Sequence, residues 1–170
     1  MVVPESTSPN GLAPGFANRI LLVAVDGSDL SLEALRRTVV IASGIGSEIV
    51  VLFVRHLQPP IADPATGVAA IVALESSVDE LESIARSSAE RLLDQSGVPW
   101  RFEVREGEPA HEIVAAAHEV SAACVVVGST LHGAIAGFLL GSVASHLLRH
   151  CDISVLVVRP DPQKAKSTTK

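Results

Sequence analysis

From Val125 to Ser145 the chain reads Val-Val-Val-Gly-Ser-Thr-Leu-His-Gly-Ala-Ile-Ala-Gly-Phe-Leu-Leu-Gly-Ser-Val-Ala-Ser. A β-branched run ends at Gly128, a glycine-spaced loop follows, and Gly141-Ser142 opens a predicted helix. Backbone N–H groups at a helix N-terminus, reached through glycine, hold a phosphate without any catalytic side chain. The plainer alternative is an entry turn with Ser142 as N-cap. Gly133, Gly137 and Gly141 have the spacing of a close helix contact, but glycine at this density disfavours a helix there. His132, the one titratable side chain of the loop, either meets the phosphate or is simply solvated. A second polar, glycine-bearing turn, Asp26-Gly27-Ser28, follows the apolar run that ends at Val25. It reads either as part of a site or as a turn with an N-cap.

Nothing in the chain supplies a base and a nucleophile together. Gly141-Ser142-Val143-Ala144-Ser145 lacks the second glycine of a nucleophile elbow, and there is no P-loop. Gly44-Ile45-Gly46 follows a helix and lacks the third glycine of a dinucleotide fingerprint. The loop from Gly128 to Ser142 has no Lys or Arg, the clamps that phosphoryl transfer uses. These residues therefore point to binding, with slow incidental hydrolysis at most.

The elements that position the two turns alternate along the chain. Continuous apolar runs at 20–25 and 49–54 read as strands buried on both faces, with a helix over 31–42 between them. A Pro-rich loop over 56–67 leads to a long acidic amphipathic helix over 71–93. A strand at 100–105, a helix over 110–120, a strand at 123–127, a helix over 142–149 and a strand at 153–158 complete the pattern. Five strands alternating with four helices imply a single α/β domain, a doubly wound parallel sheet with helices on both faces. Ligands of such sheets sit beyond the carboxyl ends of the strands, where the strand order reverses. If the first and fourth strands are neighbours, both turns line one crevice.

Composition narrows the function classes. A chain of 170 residues with 48% hydrophobic residues buries one ordinary core. A net charge of −6 argues against a nucleic-acid or anionic-membrane surface. Cys124 and Cys151, the only cysteines, have neither disulfide-framework nor zinc-ligand spacing. They are expected to pack as small hydrophobes in a reducing cytoplasm. Residues 1–18 and 161–170 are expected to be flexible arms around a domain at 19–160.

The opening Ile-Leu-Leu-Val-Ala-Val-Asp-Gly-Ser, Gly107-Glu108-Pro109, the Val-Val-Val-Gly-Ser turn, Leu139-Leu140-Gly141-Ser142-Val143 and the closing Val155-Leu156-Val157-Val158 together resemble the universal stress protein family. The resemblance implies strand order 3-2-1-4-5 and an adenine nucleotide, ATP first and cyclic AMP second, with or without magnesium. The family's Gly-x2-Gly-x9-Gly-(Ser/Thr) pattern falls on Gly128, Leu131 and Gly141-Ser142, followed by Val143, so the middle glycine is replaced. The family's further Ser or Thr falls on Ala144. By the same implication Asp26 meets the ribose hydroxyls or a bound magnesium, and Val25, Val54 and Val127 flank the adenine. The resemblance further implies a cytoplasmic stress-related regulator, homodimeric through its last strand, whose protein partner the sequence does not name. The alternative is an interaction scaffold of the same fold with a degenerate nucleotide site.

Overall fold

A computed structural model describes residues 19–56, 67–129 and 140–160, with side chains in the second stretch from Ala73 onward. In chain order the elements are β1 (Ile20–Val25), α1 (Asp29–Ile45), β2 (Glu48–Arg55), α2 (Gly67–Leu93), β3 (Trp100–Glu106), α3 (Pro109–Glu119), β4 (Cys124–Gly128), α4 (Ser142–His150) and β5 (Ser154–Val158). The five strands form one parallel sheet in the order β3-β2-β1-β4-β5, as expected. The terminal arms, residues 57–66 of the expected proline-rich loop, and Leu131, His132, Gly133 and Gly137 lie outside the described residues, and Gly67, expected to be loop, instead opens α2, four residues before the expected start.

The sheet is covered on both faces because its central strands are apolar at every position. Leu21, Val23, Val25, Ile49, Val51, Phe53 and Val126 face α1 and α2, meeting Leu35, Ala42, Ala85, Ala89 and Leu93. Leu22, Val50, Leu52, Val125 and Val127 face α3 and α4, meeting Ile113, Ala116, Ala117, Ala144 and Leu147. Each fully buried Leu or Ile contributes about 1.5–3 kcal/mol relative to exposure. Cys124 and Cys151 are half-buried and free, one in each layer.

Element ends differ from the periodicity where capping decides them. α1 begins at Asp29 because Ser28 caps it, its side chain accepting from the Ser31 N–H. It runs past Ala42 to Ile45, where Gly46 closes it in the left-handed conformation at φ 67°. Gly44, inside α1, has no such duty: its φ is not positive, and a Cβ there would meet no atom within 4 Å. Gly44→Ala should therefore raise stability by about 0.5–1 kcal/mol, a gain of roughly 1–4 °C in Tm by calorimetry. The same change at Gly46 should lower it.

The two sheet edges are unlike. β3 carries Arg101, which pairs with Glu48 of β2 and with Glu103 at 2.8 Å, and Arg105, which pairs with Glu119 of α3. On β5 exposed and half-buried positions alternate until buried Val158, and no residue is charged. At the carboxyl end of β2, Arg55 reaches α2, pairing with Asp79 and with Glu82 at 2.7 Å.

Candidate functional site

The turn after β1 is built by its own side chains. Asp26 Oδ1 accepts from the Ser28 N–H at 3.0 Å and from the Ser28 hydroxyl at 2.6 Å. The Asp26 N–H donates to the Ser31 hydroxyl at 3.2 Å, and that hydroxyl donates to the Ser28 carbonyl at 2.9 Å. Gly27 sits at φ 80°, and a Cβ on it would lie 3.2 Å from the Leu81 carbonyl of α2. Both the conformation and the neighbour call for glycine. Ser31, only 5% exposed, was not singled out from the sequence. Its signal is the N-cap-to-N3 spacing from Ser28.

Desolvation pushes the exposed Asp26 carboxyl up, but hydrogen bonds from Ser28, Ser31 and its own N–H outweigh it. The carboxyl is held below the ordinary carboxylate value, so Asp26 is an anion at neutral pH. A depressed folded pKa contributes stability that is fully present above the unfolded value and lost as pH falls through the folded one. Asp26→Asn should therefore flatten the acid limb of the stability curve below about pH 4. Thermal melts of both proteins from neutral pH downward measure it, and parallel acid limbs would contradict it.

Beside this turn the sheet opens. β1 pairs with β2 as far as Val25↔Phe53, and β4 with β5 as far as Gly128↔Val158, but the β1–β4 pairing runs only from Leu21↔Cys124 to Val23↔Val126. The crevice of the topological switch point lies there. Across it, Leu30 of α1 packs on Gly128, where a Cβ would stand 3.2 Å from the Leu30 backbone. Gly128 thus has a packing reason to be glycine. Val25 and Val127 are buried in opposite core layers, so what they present to the crevice is backbone. Val54 is half-buried against the α3/α4 layer.

α4 departs from the plainer sequence alternative. Its N-cap is Gly141, at φ −57° and ψ 160°, and Ser142 is the first helical residue. A glycine cap has no side chain to offer, so the N–H groups of Ser142, Val143 and Ala144 have no intrahelical partner. Ser142 is exposed and Val143 half-buried. Ala144, at 2% exposure, is packed into the α3/α4 core and offers only its N–H. The partial positive charge of the helix end favours an anion here.

Further along the same rim, Arg55, His56, Glu106, Gly107 and Glu108 enclose a cleft of about 320 Å³. His56 Nδ1 stands 2.9 Å from the Gly107 carbonyl. Arg55 and His56 escaped the sequence reading because only the β2–β3 register brings them to Glu106 and Gly107.

An anionic turn and an uncapped helix end, both at the carboxyl end of the sheet, occur here in a chain that matches a known family over most of its length. The model described as "Universal stress protein family" matches residues 17–159. The chain belongs to the universal stress protein family. Universal stress protein MJ0531 of Methanocaldococcus jannaschii is 30% identical over 139 residues, which are 82% of this chain and 81% of that protein. The solved universal stress protein UspA from Lactobacillus plantarum shares the fold, with a TM-score of 0.70 at 23% identity over 84% of this chain and 99% of that one. A universal stress protein solved in complex with cAMP is 27% identical, with a TM-score of 0.54, over 84% of this chain and 98% of its own.

Proposed function

We propose that this universal stress protein is a cytoplasmic, stress-related regulator that binds an adenine nucleotide, ATP first and cyclic AMP second, at the carboxyl ends of β1 and β4. The observation that carries the reading is the parting of those strands after Val23↔Val126 beside the ionised Asp26, with the N-terminus of α4, the helix between β4 and β5, at the same carboxyl end of the sheet. The Asp26 carboxylate would accept from ribose hydroxyls or hold a magnesium ion. Gly141, Ser142 and Val143 would give backbone N–H groups to phosphate, with Gly128 closing the crevice and Val25, Val54 and Val127 beside the base. The similar protein in complex with cAMP supports the ligand class. Binding rather than turnover carries the function, since the loop from Gly128 to Ser142 has no Lys or Arg to clamp a transferring phosphoryl group. Denaturing purified protein and identifying the released nucleotide by mass spectrometry tests the proposal. ATP or AMP supports the first ligand, and a cyclic nucleotide selects the second.

The buried Ala144 favours one other reading, an interaction scaffold whose nucleotide site has decayed. Protein that is repeatedly empty and shows no calorimetric binding would select it.

Assembly is proposed through β5. The Ser129 N–H donates to the Val158 carbonyl at 2.8 Å, so the backbone groups of Val158 face β4. By alternation those of Val155 and Val157 face outward from the edge. Leu156, 37% exposed, adds an apolar side chain beside them. Antiparallel pairing of two such edges satisfies both rows of groups. Val157→Pro removes an outward donor and should give a monomer by sedimentation while wild type is a dimer at micromolar concentration. A monomeric wild type would sink this assembly.

A further inference from the structure

The buried side chains of α2, Ala85, Ser88, Ala89 and Leu93, all belong to its second half. From Ala73 to Ile84 none is buried, though Val78 packs half-buried against the core. A helix segment with so little apolar burial opens easily unless something else ties it down. Two contacts do, and both involve the stretch from Asp79 to Glu82.

The first is with Arg55, the last residue of β2. Val54 before it faces the α3/α4 layer, so strand alternation turns Arg55 to the opposite face, toward α2. Its guanidinium pairs with Asp79 and with Glu82 at 2.7 Å. The Arg55 and Glu82 side chains are only 21% and 20% exposed, so salt screens this pair less than an open one. Glu82 also accepts from Arg86 at 3.2 Å, and Arg86 lies 4.2 Å over the Phe102 ring of β3. The second contact is with the turn after β1, where a Cβ on Gly27 would stand 3.2 Å from both Leu81 Cδ2 and the Leu81 carbonyl. Leu81 lies between Asp79 and Glu82, so one turn of α2 touches the ends of both central strands.

We propose that Arg55 is a positioning residue of the nucleotide site. By pairing with Asp79 and Glu82 it sets α2 so that Leu81 backs Gly27, which links Asp26 to the Ser28 that holds its carboxylate. Without the guanidinium, Asp79 and Glu82 are like charges three apart on one helix face, and Glu82 keeps only Arg86. The inference rests on the nucleotide reading and adds to it a residue that acts on the ligand only through Asp26.

Two measurements on the full chain test it. Without nucleotide, the Asp26 and Ser28 amides, which donate to Ser31 Oγ and Asp26 Oδ1, should exchange hydrogen roughly tenfold faster in Arg55→Met. The Val23 and Val126 amides, inside the sheet, should keep their wild-type rates. In calorimetric titration Arg55→Met should weaken ATP by roughly 3- to 10-fold, and Arg55→Lys, which keeps the charge but not the fork, should recover part of the loss. In an Asp26→Ala background Arg55→Met should change ATP affinity no further, because nothing remains to position. A guanidinium that met the ligand itself would add its effect there. Asp79→Asn with Glu82→Gln removes the same hold and serves if Arg55→Met does not fold; it should weaken ATP as well, whereas an Arg55 freed to reach phosphate would tighten it. Unaltered exchange at Asp26 and Ser28, wild-type ATP affinity in Arg55→Met, a loss that persists in full beside Asp26→Ala, or tighter binding by the carboxylate variant each overturns the role while the nucleotide reading stands. Wild type that binds no ATP overturns the nucleotide reading and this role with it.

Discussion

Gly141→Val is expected to fold as wild type does and to lose the ATP binding proposed for this chain. The fold survives because Gly141 sits at φ −57° and ψ 160°, a conformation open to any residue. Backbone bending therefore does not call for glycine at this position; on the proposed reading, the approach of phosphate does. A valine at the N-cap sets a stiff branched side chain beside the N–H groups of Ser142 and Val143, in the space a phosphate would occupy. Asp26→Ala should be milder, weakening ATP by roughly 10- to 150-fold, the worth of a hydrogen bond to a charged group. Calorimetric titration beside circular dichroism reads both variants. Unchanged affinity in both would place the ligand elsewhere.

Gly128→Val has the opposite signature, a damaged fold. A Cβ there would stand 3.1 Å from Leu30 Cγ and 3.2 Å from the Leu30 backbone carbon and oxygen. The side chain can turn aside, but the backbone belongs to the first turn of α1, which Ser28 and Ser31 tie to Asp26. Overpacking of this kind costs about 1–3 kcal/mol, which lowers Tm by roughly 2–12 °C in a chain of this size. Gly128→Ala should lie between this variant and wild type. Equal melting of all three would show that α1 yields without cost, leaving phosphate as the reason for the glycine.

The sheet was legible because its strands are simple. Ile49 to Val54 and Val125 to Val127 are apolar at every position, which only strands covered on both faces tolerate. The start of α2 at Gly67 was not, because the preceding prolines mask where the helical stripe begins. Nor was the N-cap of α4, since Gly141 and Ser142 are both good caps and one pair of backbone angles decides between them. The Asp26 turn was visible as a polar strand end, whereas its lock on Ser31 needed the helix start to be known to the residue. The Leu30–Gly128 contact, the Arg55 pairs and the Leu81–Gly27 contact join distant parts of the chain. No local pattern encodes them; the crossovers of the sheet do.

The unlike edges of that sheet set how far strand pairing can propagate. Arg101 and Arg105 stand on β3 with their carboxylate partners, whereas β5 has no charge at all. Two chains that meet along β5 turn only their β3 edges outward, and a strand arriving there must strip charged side chains of water and break their ion pairs. On the proposed pairing, growth would terminate after one addition, leaving a closed pair rather than the first unit of a fibre. Apolar replacements at Arg101 and Arg105 would open a second growing end, converting a self-limiting particle into one that can polymerise.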